Sequence, residues 1–186
     1  TEIGFVLVRG MLLTLRDTDP LSFRQTAAWV SRRPAVNRDQ VFITLLEAII
    51  DRQADLLERI SKETEELSQR IFTRVLRAKE SENNLREAIF RLGRSGDLIA
   101  RERECIVALS RLVQYAGHED FDDDTPERMT PLFPRLKPLL RDLQSLSEFA
   151  GFLSNKVSFM LDATLGLINI EQNSIGKIFT VAAVIF

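Results

Sequence analysis

The sequence predicts a mainly α fold: long antiparallel helices, a very long C-terminal stalk helix and an N-terminal β-hairpin. Three observations carry this. From Leu139 onward, Leu143, Leu146, Ala150, Leu153, Val157, Met160, Thr164 and Leu167 recur at alternating steps of four and three. That repeat keeps one seam of a long helix against a partner. No proline interrupts residues 35–125, and two short β-rich runs open the chain. The divisions expected are 1–34 (hairpin plus helix), 35–137 (long helices) and 138–186 (stalk).

Ile3 to Val8 and Met11 to Leu15 flank Arg9-Gly10, the signature of a hairpin with a tight turn. Two strands alone are marginal, so they are expected to end a sheet whose other strands precede Thr1. Asp19-Pro20 predicts a helix start, with Asp19 as cap and Pro20 at the first position. That helix carries Phe23, Ala27, Trp29 and Val30 and ends at Arg32-Arg33-Pro34; Trp29 is expected to anchor a core or an interface.

Asn37 with Gln40 three residues on is a capping pair for the next helix. Phe42, Leu45, Ile49, Leu56, Ile60, Leu67 and Ile71 mark its apolar face, and Asp51 to Glu66 supply a charged, solvated one. The pattern lapses around Lys79 to Asn84, predicting a break. It resumes over Leu85 to Leu92 and again over Leu98 to Tyr115, with Gly93 and Gly96 expected to form a hinge or loose turn between. Gly117 ends the helix before an acidic loop, where Glu119, Asp120, Asp122, Asp123 and Asp124 place five carboxylates within six positions. The loop lacks the central glycine and distal glutamate of an EF-hand, so it is a solvated tip or a weak attractor of divalent cations. Pro126, Pro131, Pro134 and Pro138 then punctuate a stiff connection into the stalk.

A formal charge of -2 with nearly balanced acids and bases gives no footprint for nucleic acid. The single cysteine, Cys105, excludes an internal disulfide and is expected to be a buried, inert thiol among Ile106, Val107 and Leu109. One histidine, His118, cannot build a multi-histidine zinc site. The sequence has no phosphate-cradling glycine loop and no nucleophile turn, so no constellation supports an enzyme.

At ~1.5 Å per residue a stalk helix from Pro138 to Phe186 would be about 70 Å long. Its seam gives way to a polar collar of Asn169, Glu171, Gln172, Asn173 and Ser174, and then to Ile178–Phe186, which carries no charge. This tail is shorter than the ~20 apolar residues a bilayer requires. It is either the last buried turns of a bundle or the first half of a transmembrane helix cut short. Asn173, Gly176 and Thr180 share one helix face. Around an axis of several copies, amide and hydroxyl oxygens on that face would suit a hydrated cation that keeps its waters.

Gly166-Leu167-Ile168-Asn169-Ile170-Glu171-Gln172-Asn173, with Lys177-Ile178-Phe179-Thr180 and Val184-Ile185-Phe186, closely resembles the junction into the first transmembrane helix of CorA magnesium transporters, most of all the proteobacterial branch. The resemblance extends through Lys156-Val157-Ser158-Phe159-Met160 and Asp142-Leu143-Gln144-Ser145-Leu146. Leu13-Thr14-Leu15-Arg16 is similar to the last strand of that family's cytoplasmic α/β domain, and Asp51 lies in a stretch similar to the long helix after it.

The resemblance implies a funnel-shaped homopentamer in a bacterial inner membrane, this part on the cytoplasmic side, passing Mg2+ and also Co2+ and Ni2+. It places Asn173, Gly176, Phe179 and Thr180 on the pore-lining face. Many relatives carry a bulky apolar residue, often methionine, where this chain has Gly176, and Phe179 could supply the constriction instead. Asp51 and Asp142 are the implied half-sites for regulatory Mg2+, which would bridge subunits and hold the pore closed. The family's Gly-Met-Asn signature would lie beyond Phe186. A zinc-transporting branch of the superfamily and a soluble coiled-coil scaffold are the rival expectations.

Overall fold

In a computed structural model of the chain, residues 3–8, 10–33, 36–75, 82–117 and 133–185 are described, with side chains for all of these but 73–75, 82–83, 133, 171 and 174–185. Strands β1 (Ile3–Val8) and β2 (Met11–Arg16) are followed by α1 (Leu21–Ser31), α2 (Arg38–Val75), α3 (Glu82–Ala116) and α4 (Phe133–Ile185). The mainly helical expectation holds. The chain divides into two compact units: Thr1–Leu56 with Cys105–Ser147, and Leu57–Glu104 with Glu148–Phe186.

In the first unit β1 and β2 pair antiparallel, with Val8 opposite Met11 and Ile3 opposite Arg16. The turn closes because Gly10 takes φ 74°, a left-handed conformation that side chains disfavour. Side chains alternate across the ribbon. Phe5 lies on the inner face, its ring centroid 6.4 Å from that of Phe23 on α1 and 5.8 Å from that of Phe42 on α2. On the outer face Val6, Val8, Met11, Leu13 and Leu15 are exposed.

The cap of α1 differs from expectation. Pro20, not Asp19, holds the N-cap position, and no side chain caps the helix. The Asp19 carboxylate is drawn instead to Arg16, at 3.0 Å, whose guanidinium also lies over the Phe23 ring. Ser22, Phe23 and Thr26 are the buried residues of α1, whereas Ala27 is exposed. For α2 the capping pair forms as the sequence predicts: the Gln40 amide donates to Asn37 Oδ1 at 2.8 Å, and the Asn37 amide donates to Gln40 Oε1 at 3.4 Å. Arg38 then donates to the Val8 carbonyl at 2.9 Å, tying the strand end to the helix start.

All three long helices carry a seam at steps of three and four. In the second unit α2 buries Leu57, Ile60, Thr64, Leu67 and Ile71. Leu57 is fully buried and Leu56, the residue expected there, is half-buried. The Thr64 hydroxyl is tolerated because it donates to the Ile60 carbonyl at 2.8 Å. On α3 the seam runs Leu85, Ala88, Leu92, Ser95 and Ile99, and on α4 Ala150, Leu153, Val157, Met160 and Thr164. Glu65 meets Lys156 and Phe72 meets Phe159, so α2 and α4 run in the same direction here.

Two expectations about breakers are corrected. Gly93 and Gly96 do not form a hinge; α3 is continuous from Glu82 to Ala116. A glycine costs a helix about 1 kcal/mol, and burying one large aliphatic side chain returns ~1.5–3 kcal/mol. Leu92, Ser95 and Ile99 are buried around the pair, and a Cβ on Gly96 would sit 3.7 Å from Val157 Cγ1. Likewise α4 starts at Phe133, ahead of Pro138, and runs for 53 residues. Pro134 falls in the first turn, where its missing N–H has no helical acceptor. Pro138 removes one ladder bond, yet Leu136, Leu139 and Leu143 are buried on both sides of it. Cys105, expected to be buried, is half-buried, and Val107 is exposed.

Candidate functional site

In the first unit, the start of α4 passes the early turns of α2 and leaves a cleft of ≈520 Å³ between them. Pro134, Pro138 and Asp142 follow at steps of four, so one α4 face presents two rings and a carboxylate to it. The α2 side contributes Glu47 and Asp51, again four apart and therefore on one face. The two aspartates singled out from the sequence thus line one cleft. Glu47, which was not singled out, joins them: in sequence it is one carboxylate in an apolar stretch, and only the packing of α4 gives it company.

Asp51 and Asp142 are exposed and Glu47 is half-buried. Arg135 lines the same cleft, so three carboxylates face one guanidinium there and the charged lining is acidic on balance. Among the described residues, however, no group of three or more acidic, histidine or cysteine side chains is placed to hold a metal ion.

The second feature is on α4 in the other unit. Its seam is consumed inside the chain, while a neighbouring stripe at heptad spacing remains open. Phe152 is 59% and Phe159 65% exposed, and Gly166 and Asn173 continue the same stripe in solvent. Gly176, Phe179 and Thr180 follow on the unbroken helix, their side chains outside those described. His118 and the acidic residues Glu119, Asp120, Asp122, Asp123 and Asp124 lie outside the described residues. Among the described residues no helix is long and apolar enough to cross a membrane.

Comparison with known proteins is consistent across sequence and fold. The family model for a CorA-like Mg2+ transporter protein matches residues 1–186. The magnesium transport protein CorA of Haemophilus influenzae Rd is 30% identical over 187 residues, covering 100% of this chain and 56% of that protein. Its counterpart in Escherichia coli K12 is 28% identical over 188 residues, with the same coverage of 100% and 56%. The chain therefore spans about half the length of the curated relatives it matches. Among solved structures, the complete CorA magnesium transporter of Methanocaldococcus jannaschii superposes with a TM-score of 0.76 at 18% identity, covering 98% of this chain and 55% of that one. The soluble domain of the same transporter gives 0.68 at 16% identity, covering 89% and 63%. At these identities the likeness is one of fold.

Proposed function

The chain belongs to the CorA-like Mg2+ transporter family, and from that premise we propose that it forms the cytoplasmic and pore-entering part of a homopentameric divalent-cation channel. Mg2+ is the cargo, with Co2+ and Ni2+ as further substrates; no enzyme chemistry is involved. The observation that carries this reading is α4, an unbroken helix from Phe133 to Ile185 whose buried seam leaves the Phe152, Phe159 and Asn173 stripe exposed. Exposed aromatic stripes of this kind mark association surfaces. In a ring of copies Asn173, Gly176, Phe179 and Thr180 face the axis, and their amide and hydroxyl oxygens hydrogen-bond the water shell of a Mg2+ that dehydrates reluctantly.

Asp51 and Asp142 are the half-sites of regulation in this reading. With Glu47 beside them they draw a Mg2+ ion that a neighbouring subunit helps to hold, and that bridge favours the closed assembly. An edge of the hairpin is where a larger α/β sheet would continue, and the outer face, with Val6, Leu13 and Leu15 exposed, is what the rest of that domain would cover.

Uptake by the intact transporter in a bacterium lacking its own Mg2+ uptake tests the whole reading. Growth without added Mg2+ is expected, together with competition by Co2+ and Ni2+. Asn173→Ala should lower uptake, and the double change Asp51→Ala, Asp142→Ala should leave it high when internal Mg2+ is high. Uptake of Zn2+ alone would move the chain to the zinc-carrying branch. Absence of any metal uptake would leave α4 as a scaffold.

A further inference from the structure

The first unit holds a second cleft, of ≈490 Å³, whose lining differs in kind from the acidic one. It lies where the C-terminus of α1 meets the first turns of α2 and α4. Arg32 and Arg33 come from the α1 end, Gln40 from the first turn of α2 and Arg135 from the first turn of α4, and Trp29 forms a wall. The Arg33 guanidinium carbon sits 4.4 Å from the centre of the Trp29 ring, which fixes its plane. Among the described residues no carboxylate lines this cleft, and none of them forms an ion pair with Arg32, Arg33 or Arg135.

Three guanidiniums gathered at one cleft repel one another, and an anion among them lowers that repulsion, while Arg135 also faces the neighbouring cleft of Glu47, Asp51 and Asp142. The donors are planar forks suited to the oxygens of phosphate. The first turns of α2 and α4 bring two positive helix ends to the cleft, against one negative end from the C-terminus of α1. The volume falls within the ~300–1,000 Å³ of small-molecule sites. An indole wall beside a phosphate-binding cluster is the arrangement that accepts a base next to its phosphates.

We propose that this cleft binds a phosphate-bearing anion of the pyrophosphate or nucleoside diphosphate class, held by Arg32, Arg33 and Arg135 against Trp29. The proposal is independent of the transport reading, since it concerns an anion and a different cleft. Arg135 also lines the acidic cleft, so Arg32, which does not, supplies the second variant.

Trp29 is the only tryptophan among these 186 residues, and the part of the fluorescence that Trp29→Phe removes reports the cleft. The purified protein is titrated with sodium pyrophosphate, ADP and adenosine in the absence of Mg2+, with NaCl at matched ionic strength as control, and calorimetry gives a second readout. Saturable binding of pyrophosphate or ADP tighter than about 1 mM is expected. Arg32→Ala and Arg135→Ala should each weaken it roughly tenfold, the effect of losing a charge-assisted hydrogen bond, with unchanged helical circular dichroism. ADP binding more tightly than pyrophosphate identifies a nucleotide, and equal affinities identify the phosphates alone. A response that NaCl reproduces, or variants that bind as the parent does, overturns the proposal.

Discussion

The two units are built from segments of the same three long helices, yet the clefts among their described residues differ in size. In the second unit the seams of α2, α3 and α4 run on at regular spacing, and the cleft between Leu67, Ile71, Leu85 and Ala88 has a volume of only ≈70 Å³. In the first unit the helices meet a hairpin, the end of α1 and a proline-bearing helix start, and clefts of ≈490 and ≈520 Å³ result. Regular heptads interlock and close. Where Pro134 and Pro138 replace side chains that would interlock, and α1 inserts its terminus, space remains and charged residues line it. Chemistry in this chain collects where the repeat is interrupted.

The largest expected effects come from a matched pair of cavities. Leu143 in the first unit and Leu153 in the second are both fully buried seam residues of α4. Truncation of either to alanine costs about 2–5 kcal/mol, depending on how far the surroundings collapse. Leu139, one turn from Leu143, borders the open cleft, so the neighbourhood of Leu143 has room to relax and that of Leu153 has little. Leu153→Ala should therefore fall near the upper end and Leu143→Ala near the lower, measured by urea unfolding. Equal costs, or the reverse order, would break the contrast between the units.

Next in size is the capping pair of α2. Asn37→Ala removes the acceptor for the Gln40 amide and should cost ~1 kcal/mol, with the loss of hydrogen-exchange protection confined to the first turn of α2. Because Gln40 also lines the basic cleft, fraying there should weaken phosphate binding as well.

A smaller effect of opposite sign is expected at Gly93, which has no heavy atom within 4 Å of a built Cβ. Gly93→Ala should stabilise the protein by about 0.5 kcal/mol, since alanine suits a helix interior better. A loss of stability there would mean that α3 needs a flexible point after all.

The elements that were legible in the sequence are those whose signal is local. The α4 seam from Leu139 to Thr164 could be read by counting, because every buried position but Thr164 is apolar. The Asn37–Gln40 cap was equally plain, since both partners sit within one turn. On α2 and α3 the polar residues Thr64 and Ser95 hold seam positions, and their hydroxyls satisfy themselves on Ile60 and Arg91 carbonyls at 2.8 and 3.1 Å. A hydrophobic pattern does not register them, which is why Leu56 stood in for Leu57 and the glycines looked like a break. Asp51 and Asp142 were named through a family resemblance, but their common cleft with Glu47 depends on how α2 and α4 pack. The basic cleft was least visible of all. Arg32 and Arg33 look like an ordinary helix end, and Arg135 lies about a hundred positions away in the chain.

The smallest expected effect tests the closed unit at its surface. Lys156 Nζ lies 2.5 Å from Glu65 Oε2, with the lysine side chain 25% and the glutamate 52% exposed. The hydrogen bond from Lys156, then its charge, then a hydrogen bond from Gln69 hold the Glu65 carboxyl below its ordinary pKa, against a slight upward push from burial. A carboxylate whose pKa is lower folded than unfolded stabilises the folded state above the unfolded value of ~4.3, and that contribution disappears as pH falls through the folded value. Glu65→Gln should therefore lower the urea midpoint slightly at pH 7, and the gap from the parent should close as the pH is taken below ~4. High salt should narrow the gap too, since both side chains touch solvent. A gap that widened with acid would mean that Glu65 is held by desolvation instead of by Lys156, and that the α2–α4 contact in this unit is looser than its seam implies.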